Sequence, residues 1–285
     1  MKIAIASGKG GTGKTLISTN LTKYLSEKRS VILADIDVEE PNTNLFIKGK
    51  PINTTKQFRM VPQWYKDKCI LCGECQANCK FNAIMQMIDV INVFEELCHG
   101  CYACSGLCPT TALPMVEYPT GETVEYQSDS LVLIESRLNI GEEQAVPLIN
   151  KTHKIVDEKY ENREIKIYDS PPGTSCPVIA ATEDVDFVIL VTEPTAFGLN
   201  DLKLAVETMR FLDKEFAVII NRYGMGNDDV EKYCQQENID LIAKIPFDVE
   251  IAKYYSKGEL IYNKLDSFKN SLKEIENYLN RIIKN

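Results

Sequence analysis

The sequence has little histidine, little tryptophan and no long hydrophobic run. Among its 285 residues only His99 and His153 are histidines, and we assign a catalytic role to neither. A membrane-spanning helix needs about 18 or more consecutive apolar residues, and the sequence contains no such segment. The first residues, MKIAIAS, lack the charged start and apolar stretch of a signal peptide. We therefore expect a cytoplasmic protein.

The sequence also lacks an excess of positive charge. It has 32 Lys and Arg against 41 Asp and Glu, a formal net charge of -9. Binding to a phosphate backbone requires clustered Lys and Arg, so this balance argues against a broad nucleic-acid-binding surface. With 44% hydrophobic and 26% charged residues, the chain is typical of a folded globular protein with one large domain or two smaller ones.

Short apolar runs alternate with segments of helical spacing along most of the chain. Each run is rich in β-branched residues and has the length of a buried strand. Strands that alternate with helices predict an α/β fold, with a mostly parallel sheet and helices on both faces. The predicted strands are KIAIAS (2–7), SVILADID (30–37), EIKIYDS (164–170), DFVILVTEP (186–194), FAVIIN (216–221) and DLIAKIP (240–246).

The region 60–117 interrupts this alternation. It holds eight of the ten cysteines, the single tryptophan Trp64 and no long helical pattern. We interpret it as an inserted small α+β domain, which leaves 1–59 and 118–285 as the α/β domain. After the insertion, ETVEYQSDSLVLIESRL alternates as one or two antiparallel strands do. A helical pattern near EEQAVPLINKTHKIVDEKY then leads back to the main sheet.

The first predicted strand is followed by a phosphate-binding motif. The segment GKGGTGKT fits G-x-x-x-x-G-K-[ST] and opens a predicted helix, which is the context that the motif requires. Its glycines let backbone N–H groups turn toward phosphates, and the helix N-terminus favours their negative charge. We expect Lys14 to reach the β- and γ-phosphates of ATP and Thr15 to bind Mg²⁺. The loop comprises Gly8, Lys9, Gly10, Gly11, Thr12, Gly13, Lys14 and Thr15.

A second lysine inside the loop narrows the class of P-loop protein that the sequence resembles. KGGTGKT, with Lys9, resembles the deviant Walker A signature of the superfamily that includes MinD, ParA, Mrp and the nitrogenase iron protein. The resemblance implies a P-loop ATPase that forms a homodimer with nucleotide at the interface. It also implies that Lys9 crosses this interface to the phosphates bound by the second copy.

Further segments resemble the superfamily in chain order. DIDVEEPN (35–42) is similar to its first switch, where Asp37 takes the position of the carboxylate that orients the attacking water. DSPPG (169–173) is similar to its second switch, which implies that Asp169 holds Mg²⁺ and that Gly173 responds to the γ-phosphate. Short matches, which are also common in ordinary strand-end loops, imply adenine contacts from Asn221, Pro246, Phe247 and Asp248.

The cysteines between 69 and 108 form an internal repeat. The spacing C-x2-C-x2-C-x3-C starts at Cys69 and again at Cys98, an offset of 29 residues. In a reducing compartment such clustering predicts a metal or cluster site rather than disulfides. The repeat resembles a bacterial-type two-cluster ferredoxin, which implies two [4Fe–4S] clusters that each take their fourth ligand from the other half. The implied ligand sets are Cys69, Cys72, Cys75 and Cys108 for one cluster, and Cys79, Cys98, Cys101 and Cys104 for the other.

A pair of zinc sites is the alternative interpretation of these cysteines. Zinc ribbons pair two separated C-x2-C units and have no need for a third cysteine at the same spacing. The first half departs from the ferredoxin pattern at Lys80, where proline often follows the fourth cysteine, as Pro109 does in the second half. Lys80 leaves the thiolates in place, but it affects the local turn and the reduction potential of the cluster.

Two cysteines lie outside the repeat. Cys176 follows Asp169 by seven residues, and the nitrogenase iron protein also has a cysteine seven residues after its second-switch aspartate, where it binds a cluster shared across the dimer. This resemblance would make Cys176 an interface thiol, and the alternative is a half-buried thiol in a switch loop. Cys234 falls in a predicted helix, DDVEKYCQQEN, and is expected to pack.

The C-terminal segment has an amphipathic pattern. Apolar residues recur there at three- and four-residue spacing, as on one face of a helix. Cell-division MinD proteins use a terminal helix to bind membranes, but residues 264–285 carry only a small excess of Lys and Arg, Lys284 among them. We therefore expect packing against the sheet and no membrane partner. The apolar residues are Leu265, Phe268, Leu272, Ile275, Leu279 and Ile282.

The sequence leaves two functions open. One is an ATPase that couples its nucleotide state to electron transfer through two [4Fe–4S] clusters, toward a redox partner. The other is an ATP-dependent assembly or carrier protein for an iron–sulfur cluster or metallocofactor. A positioning ATPase of the MinD or ParA kind is a third class, but it gives the clusters no obvious use.

Overall fold

The structure, a computed structural model, describes residues 1–283, so Lys284 lies outside the described residues. The chain divides into two compact units. The first comprises Met1–Thr54, Thr123–Arg137 and the chain from Ile149 onward, and the second comprises Thr55–Glu122 and Leu138–Leu148. The predicted insertion, 60–117, falls inside the second unit.

All six predicted strands are present, each within a few residues of its predicted bounds. The structure also contains strands that the apolar runs did not indicate. In chain order, the strands within residues 1–283 are β1 (Lys2–Ala6), β2 (Val31–Asp35), β3 (Lys50–Pro62), β4 (Ile84–Gln86), β5 (Ile91–Val93), β6 (Met115–Ser128), β7 (Leu131–Leu138), β8 (Ile165–Asp169), β9 (Phe187–Thr192), β10 (Phe216–Tyr223) and β11 (Leu241–Pro246).

The predicted helical segments are also helices. Those that cover the sheet carry one buried face, whereas two four-residue helices lie among the cysteines. The α-helices within the described residues are α1 (Lys14–Ser26), α2 (Glu74–Ala77), α3 (Ala103–Gly106), α4 (Ala145–Lys159), α5 (Cys176–Glu183), α6 (Ala196–Phe211), α7 (Asp229–Gln236), α8 (Val249–Ser256) and α9 (Asp266–Ile283).

The first unit is built on a mostly parallel sheet, which confirms the predicted α/β class. β1 lies between β8 and β9 and is parallel to both. The order continues from β9 to β10 and β11 on one side, and from β8 to β2 and β7 on the other, with parallel pairing throughout. Ile5 is level with Asp169 in this register. The carboxyl ends of these strands therefore share one edge of the sheet, where ligands of open α/β folds bind.

The strands β6 and β7 form a hairpin, as the alternation of their sequence predicted. Only Asp129 and Ser130 connect them, and Asp129 has a φ of 54°, a left-handed turn conformation. β3, which follows β6 in the sheet order, was not predicted. The first residues of β3 are polar and exposed, so neither an apolar run nor a clean alternation marks it.

The second unit contains the cysteine repeat and little regular structure. Its α2 and α3 lie at corresponding places in the two halves of the repeat, and β4 pairs antiparallel with β5. Small apolar clusters surround the cysteines. One contains Cys75, Ile84, Ile91, Cys104 and Leu113, and another contains Val61, Ala83 and Cys98.

The C-terminal helix α9 packs its apolar face into the main core, as expected from its sequence. Phe268, Leu272, Ile275 and Leu279 are all buried there. Within the described residues, the helices are too short or too polar to cross a bilayer.

Candidate functional site

The phosphate-binding segment forms the turn from β1 into α1. Gly13 lies at the N-terminus of α1 with a φ of 101°, in the left-handed region that favours glycine. A Cβ at Gly13 would lie 2.3 Å from Asn221 Nδ2. That nitrogen donates to the carbonyl of Thr12 at 2.8 Å. Asn221, predicted as an adenine contact, therefore supports the loop from β10.

A cavity of about 390 Å³ opens at this turn, which is in the range of small-molecule sites. Its walls come from the loop, from the segment after β2 and from the segment after β11. The predicted residues that line it are Gly10, Gly11, Gly13, Lys14, Thr15, Asp37, Asn221, Pro246, Phe247 and Asp248. Eight of its lining residues were not predicted as site residues, namely Leu16, Glu40, Asn42, Pro172, Arg222, Ile251, Ala252 and Tyr255.

Lys14 and Thr15 meet the second-switch carboxylate at the cavity. Thr15 Oγ1 donates to Asp169 Oδ2 at 2.7 Å. Burial raises the pKa of Asp169 to about 6, while the charge of Lys14 and the Thr15 hydroxyl act in the opposite direction. Burial also lowers the pKa of Lys14 and raises that of Asp37. A hydroxyl, two carboxylates and one amine therefore converge here, a set suited to Mg²⁺ and phosphate.

Asp35 orders the segment that follows β2, a role that sequence reasoning missed. It ends β2 with its side chain fully buried. Its carboxylate accepts backbone N–H bonds from Asp37 at 3.2 Å, Asn42 at 2.9 Å and Thr43 at 3.0 Å. Burial and the charge of Asp169 raise the pKa of Asp35. The doublet of aspartates in DID was the available signal, but only the fold shows which one is internal.

Lys9 points to an acidic side chain rather than into the cavity. Its Nζ lies 3.6 Å from Glu193 Oε2. Glu193 is buried just after β9 and also pairs with Arg222. Glu193 was not predicted as a site residue, because an acid in the segment after a strand has no motif of its own.

Four other predicted positions lie near the cavity without lining it. Gly8 packs so tightly that an added Cβ would lie 2.2 Å from the Asp201 carbonyl oxygen. Gly173 has a φ of 97° and donates its N–H to the Ser7 carbonyl at 2.9 Å. Thr12 is buried, and Asp169 reaches the cavity through Thr15.

The eight repeat cysteines sort into two sets of four around two small cavities of the second unit. One cavity is lined by Cys69, Cys72, Cys75 and Cys108. The other is lined by Cys79, Cys98, Cys101 and Cys104. These are the two sets implied by the exchange of the fourth cysteine between halves.

Backbone amides point at the sulfurs in the same way in both halves. Leu71 N–H donates to Cys69 Sγ at 3.4 Å, and Gly100 N–H donates to Cys98 Sγ at 3.4 Å. The last cysteine of each half, Cys79 or Cys108, likewise accepts from the residue four positions later, at 3.3 and 3.2 Å. Amide donors to sulfur stabilise thiolates and tune cluster potentials.

Within residues 1–283, no three His, Cys, Asp or Glu side chains are placed to hold one metal ion.

The remaining cysteines and histidines occupy different environments. Cys176 is exposed at the first position of α5, which contradicts the half-buried alternative. Cys234 is buried, which confirms packing, and burial raises its pKa to about 11. His99 stacks on Phe81 and His153 on Tyr168, at centroid distances of 3.9 and 4.4 Å.

Known proteins resemble this chain along nearly its whole length. An uncharacterized protein of Methanocaldococcus jannaschii is 32% identical over 280 residues, covering 98% of this chain and 97% of the relative. An iron-sulfur cluster carrier protein of Pyrococcus horikoshii is 24% identical, covering 87% and 75%. The solved structure of the septum site-determining protein MinD with Mg-ADP, also from Pyrococcus horikoshii, superimposes with a TM-score of 0.62 at 19% identity, covering 99% and 96%.

A family description matches the chain directly. The CobQ/CobB/MinD/ParA nucleotide-binding domain spans residues 3–261. That span begins in β1, includes the loop that opens into α1 and ends beyond α8. From this match, together with the sheet order and the loop geometry, we conclude that the chain belongs to the CobQ/CobB/MinD/ParA nucleotide-binding domain family.

Proposed function

We propose that this protein is a Mg²⁺-dependent ATPase that carries two [4Fe–4S] clusters and couples its nucleotide state to electron transfer through them. The observation that carries the proposal is that eight cysteines sort into two sets of four in a chain that also has a family-typical nucleotide cavity.

The nucleotide half of the proposal assigns each polar group at the cavity a task. Lys14 neutralises charge on the β- and γ-phosphates, while Thr15 and Asp169 hold Mg²⁺. Asp37 orients the attacking water, because its carboxylate lines the cavity and interacts with the charge of Lys14. Gly173 lets the second switch respond to the γ-phosphate. Pro246, Phe247 and Asp248 flank the base.

The cluster half rests on the donor set. Each cavity presents four thiols, with backbone N–H groups already directed at two of the sulfurs. Four thiolates satisfy every iron of a [4Fe–4S] cluster. Bound clusters of this kind supply one-electron transfer at low potential. Because no iron is left with an exchangeable ligand, full cysteine coordination favours resident clusters over clusters in transit.

A homodimer with nucleotide at its interface is part of the proposal. Lys9 keeps a third of its side-chain surface exposed and is engaged by Glu193 rather than by its own cavity. A second copy would recruit Lys9 to its phosphates only after this ion pair opens. Cys176, exposed at the start of α5, is a candidate thiol for the same interface.

A second candidate function is ATP-dependent assembly or delivery of an iron–sulfur cluster or metallocofactor. The name of the Pyrococcus horikoshii relative, an iron-sulfur cluster carrier protein, favours it. In this function the nucleotide state would control release of the iron–sulfur cluster or metallocofactor to an acceptor protein. The eight cysteines would hold clusters that take part in this delivery.

Anaerobic reconstitution with iron and sulfide separates the two candidates. We expect the reduced protein to show the electron paramagnetic resonance (EPR) spectrum of [4Fe–4S] clusters, with a change in spectrum or potential on addition of MgATP. Transfer of iron to an apo-acceptor protein that depends on ATP, with unchanged potentials, would instead establish the carrier function. Stoichiometric zinc without acid-labile sulfide would refute both. Lys14→Ala should abolish ATP hydrolysis and retain iron, because the two sites are built from different residues.

A further inference from the structure

A buried ion pair lies next to one half of the cysteine repeat. Arg59, in β3, is buried and pairs with Glu142 at 2.6 Å. The side chains of the two partners are only 6% and 5% exposed. Both residues lie outside the repeat, so their placement is not a product of its internal symmetry.

This ion pair holds the loop that leads into Cys98. Arg59 donates a second hydrogen bond to the carbonyl of Glu95 at 2.6 Å. Gln144, two residues after Glu142, donates to the carbonyl of Cys98 at 2.9 Å. On the other side, Gly100 fits so closely that an added Cβ would lie 2.9 Å from the Met60 carbonyl oxygen. The Cys98 loop is therefore fixed beside a positive charge.

The guanidinium of Arg59 is held close to Cys98. Arg59 and the backbone N–H of Cys98 donate to the same acceptor, the carbonyl of Glu95, the latter at 3.0 Å. Cys98 is itself buried. Buried charges interact through a low effective dielectric, so the charge of Arg59 is screened less than a surface charge would be.

The corresponding loop of the first half has only exposed cations. Lys66 occupies the position equivalent to Glu95 and pairs with Asp89, with 67% of its side chain exposed. Lys68 is exposed and lies over the Tyr65 ring. The amide donors at Cys69 and Cys98 have equal lengths, 3.4 Å. In the segments that lead into Cys69 and Cys98, the buried cation Arg59 is therefore a difference between the two halves.

We propose that Arg59 raises the reduction potential of the cluster held by Cys79, Cys98, Cys101 and Cys104 above that of the other cluster. An incoming electron is then held by this cluster. This inference rests on the proposed function, since it requires both clusters. Reduction adds one negative charge to a cluster, and a fixed cation nearby stabilises that charge. The electron comes from a low-potential one-electron donor, and no covalent bond forms or breaks.

The test is a redox titration of the reconstituted full chain with dithionite, followed by EPR. We expect two separate reduction steps in the unaltered protein. Arg59→Gln should move only the higher step, to lower potential, and Arg59→Lys should restore most of it. Glu142→Gln, which removes the opposing charge but keeps Arg59, should move the same step to higher potential. Lys68→Gln is the matched control and should move neither step.

Opposite shifts from the two partners of one ion pair separate electrostatics from damage to the fold, because loss of packing would affect both variants alike. Each reduction step is assigned to one of the two clusters with Cys72→Ser and Cys101→Ser, which alter equivalent exposed ligands of the two sets. The inference is wrong if iron and sulfide are present but Arg59→Gln shifts neither reduction step or shifts both equally. It is also wrong if Arg59→Gln shifts the step of the cluster that Cys72 binds. If the chain holds no iron and sulfide, the proposed function itself fails.

Discussion

Lys9 Nζ lies 3.6 Å from Glu193 Oε2, so the first lysine of the phosphate-binding loop is held by an acid of its own chain. Glu193 also binds Arg222, which lines the nucleotide cavity. One buried carboxylate therefore connects the loop lysine to the nucleotide cavity. In the proposed dimer, opening of this contact accompanies assembly.

Glu193→Gln should ease ATP-dependent dimerisation. Removing the charge frees Lys9 from a partly exposed ion pair, an interaction worth roughly 0.5–1 kcal/mol. We expect the dimer dissociation constant in a non-hydrolysable ATP analogue to fall about two- to fivefold, measured by sedimentation velocity. Glu237→Gln, which breaks the surface pair with Arg210, is the control. Equal effects in both variants would contradict a specific role for Glu193.

Asp169→Asn should abolish Mg²⁺-dependent hydrolysis. The variant loses the charge that, with Thr15, is placed to hold the metal. We expect the hydrolysis rate to fall about 100-fold or more, with weaker MgATP binding in calorimetry. Iron content should stay unchanged, because the cysteine sets lie in the second unit. Full activity in Asp169→Asn would contradict the assigned metal site.

Asp35→Ala should impair hydrolysis more than nucleotide binding. It leaves the backbone N–H groups of Asp37, Asn42 and Thr43 without their common acceptor and so loosens the segment that positions Asp37. We expect the rate at saturating MgATP to fall about tenfold or more while ADP affinity changes little. Glu39→Ala, an exposed change in the same segment, is the control. A loss confined to affinity would show that Asp35 acts on binding instead.

His153 should make unfolding depend on pH. Burial lowers its pKa from 6.5 to about 4, so the unfolded chain binds a proton more readily than the folded chain. Its stabilising contribution is full above pH 6.5 and is lost as the pH falls toward 4, a change of about 3 kcal/mol at most. Nuclear magnetic resonance titration of His153 checks this. A His153 resonance that titrates near pH 6.5 would contradict the expectation.

The sequence predicted those parts of the structure that depend on local pattern. Buried β-branched runs such as VILAD and FVILVT leave few alternatives to strands covered on both faces. The resemblance of the cysteine repeat to two-cluster ferredoxins implied which four cysteines line each cavity. β3 was not predicted because its exposed, polar first residues resemble those of a loop. The roles of Asp35, Glu193 and Arg59 escaped because each depends on burial and on partners far away in the chain, which no short motif encodes.

The central claim is that one chain holds a nucleotide site and two [4Fe–4S] clusters. The most direct measurement is iron and acid-labile sulfide in the anaerobically reconstituted protein, compared with a Cys75→Ser/Cys104→Ser variant and paired with the ATPase rate of each. We predict about eight iron and eight sulfide per chain in the unaltered protein, a large loss in the variant, and measurable ATP hydrolysis in both. The account would be contradicted by iron without sulfide, by zinc in place of iron, or by an iron content that is the same with and without Cys75 and Cys104.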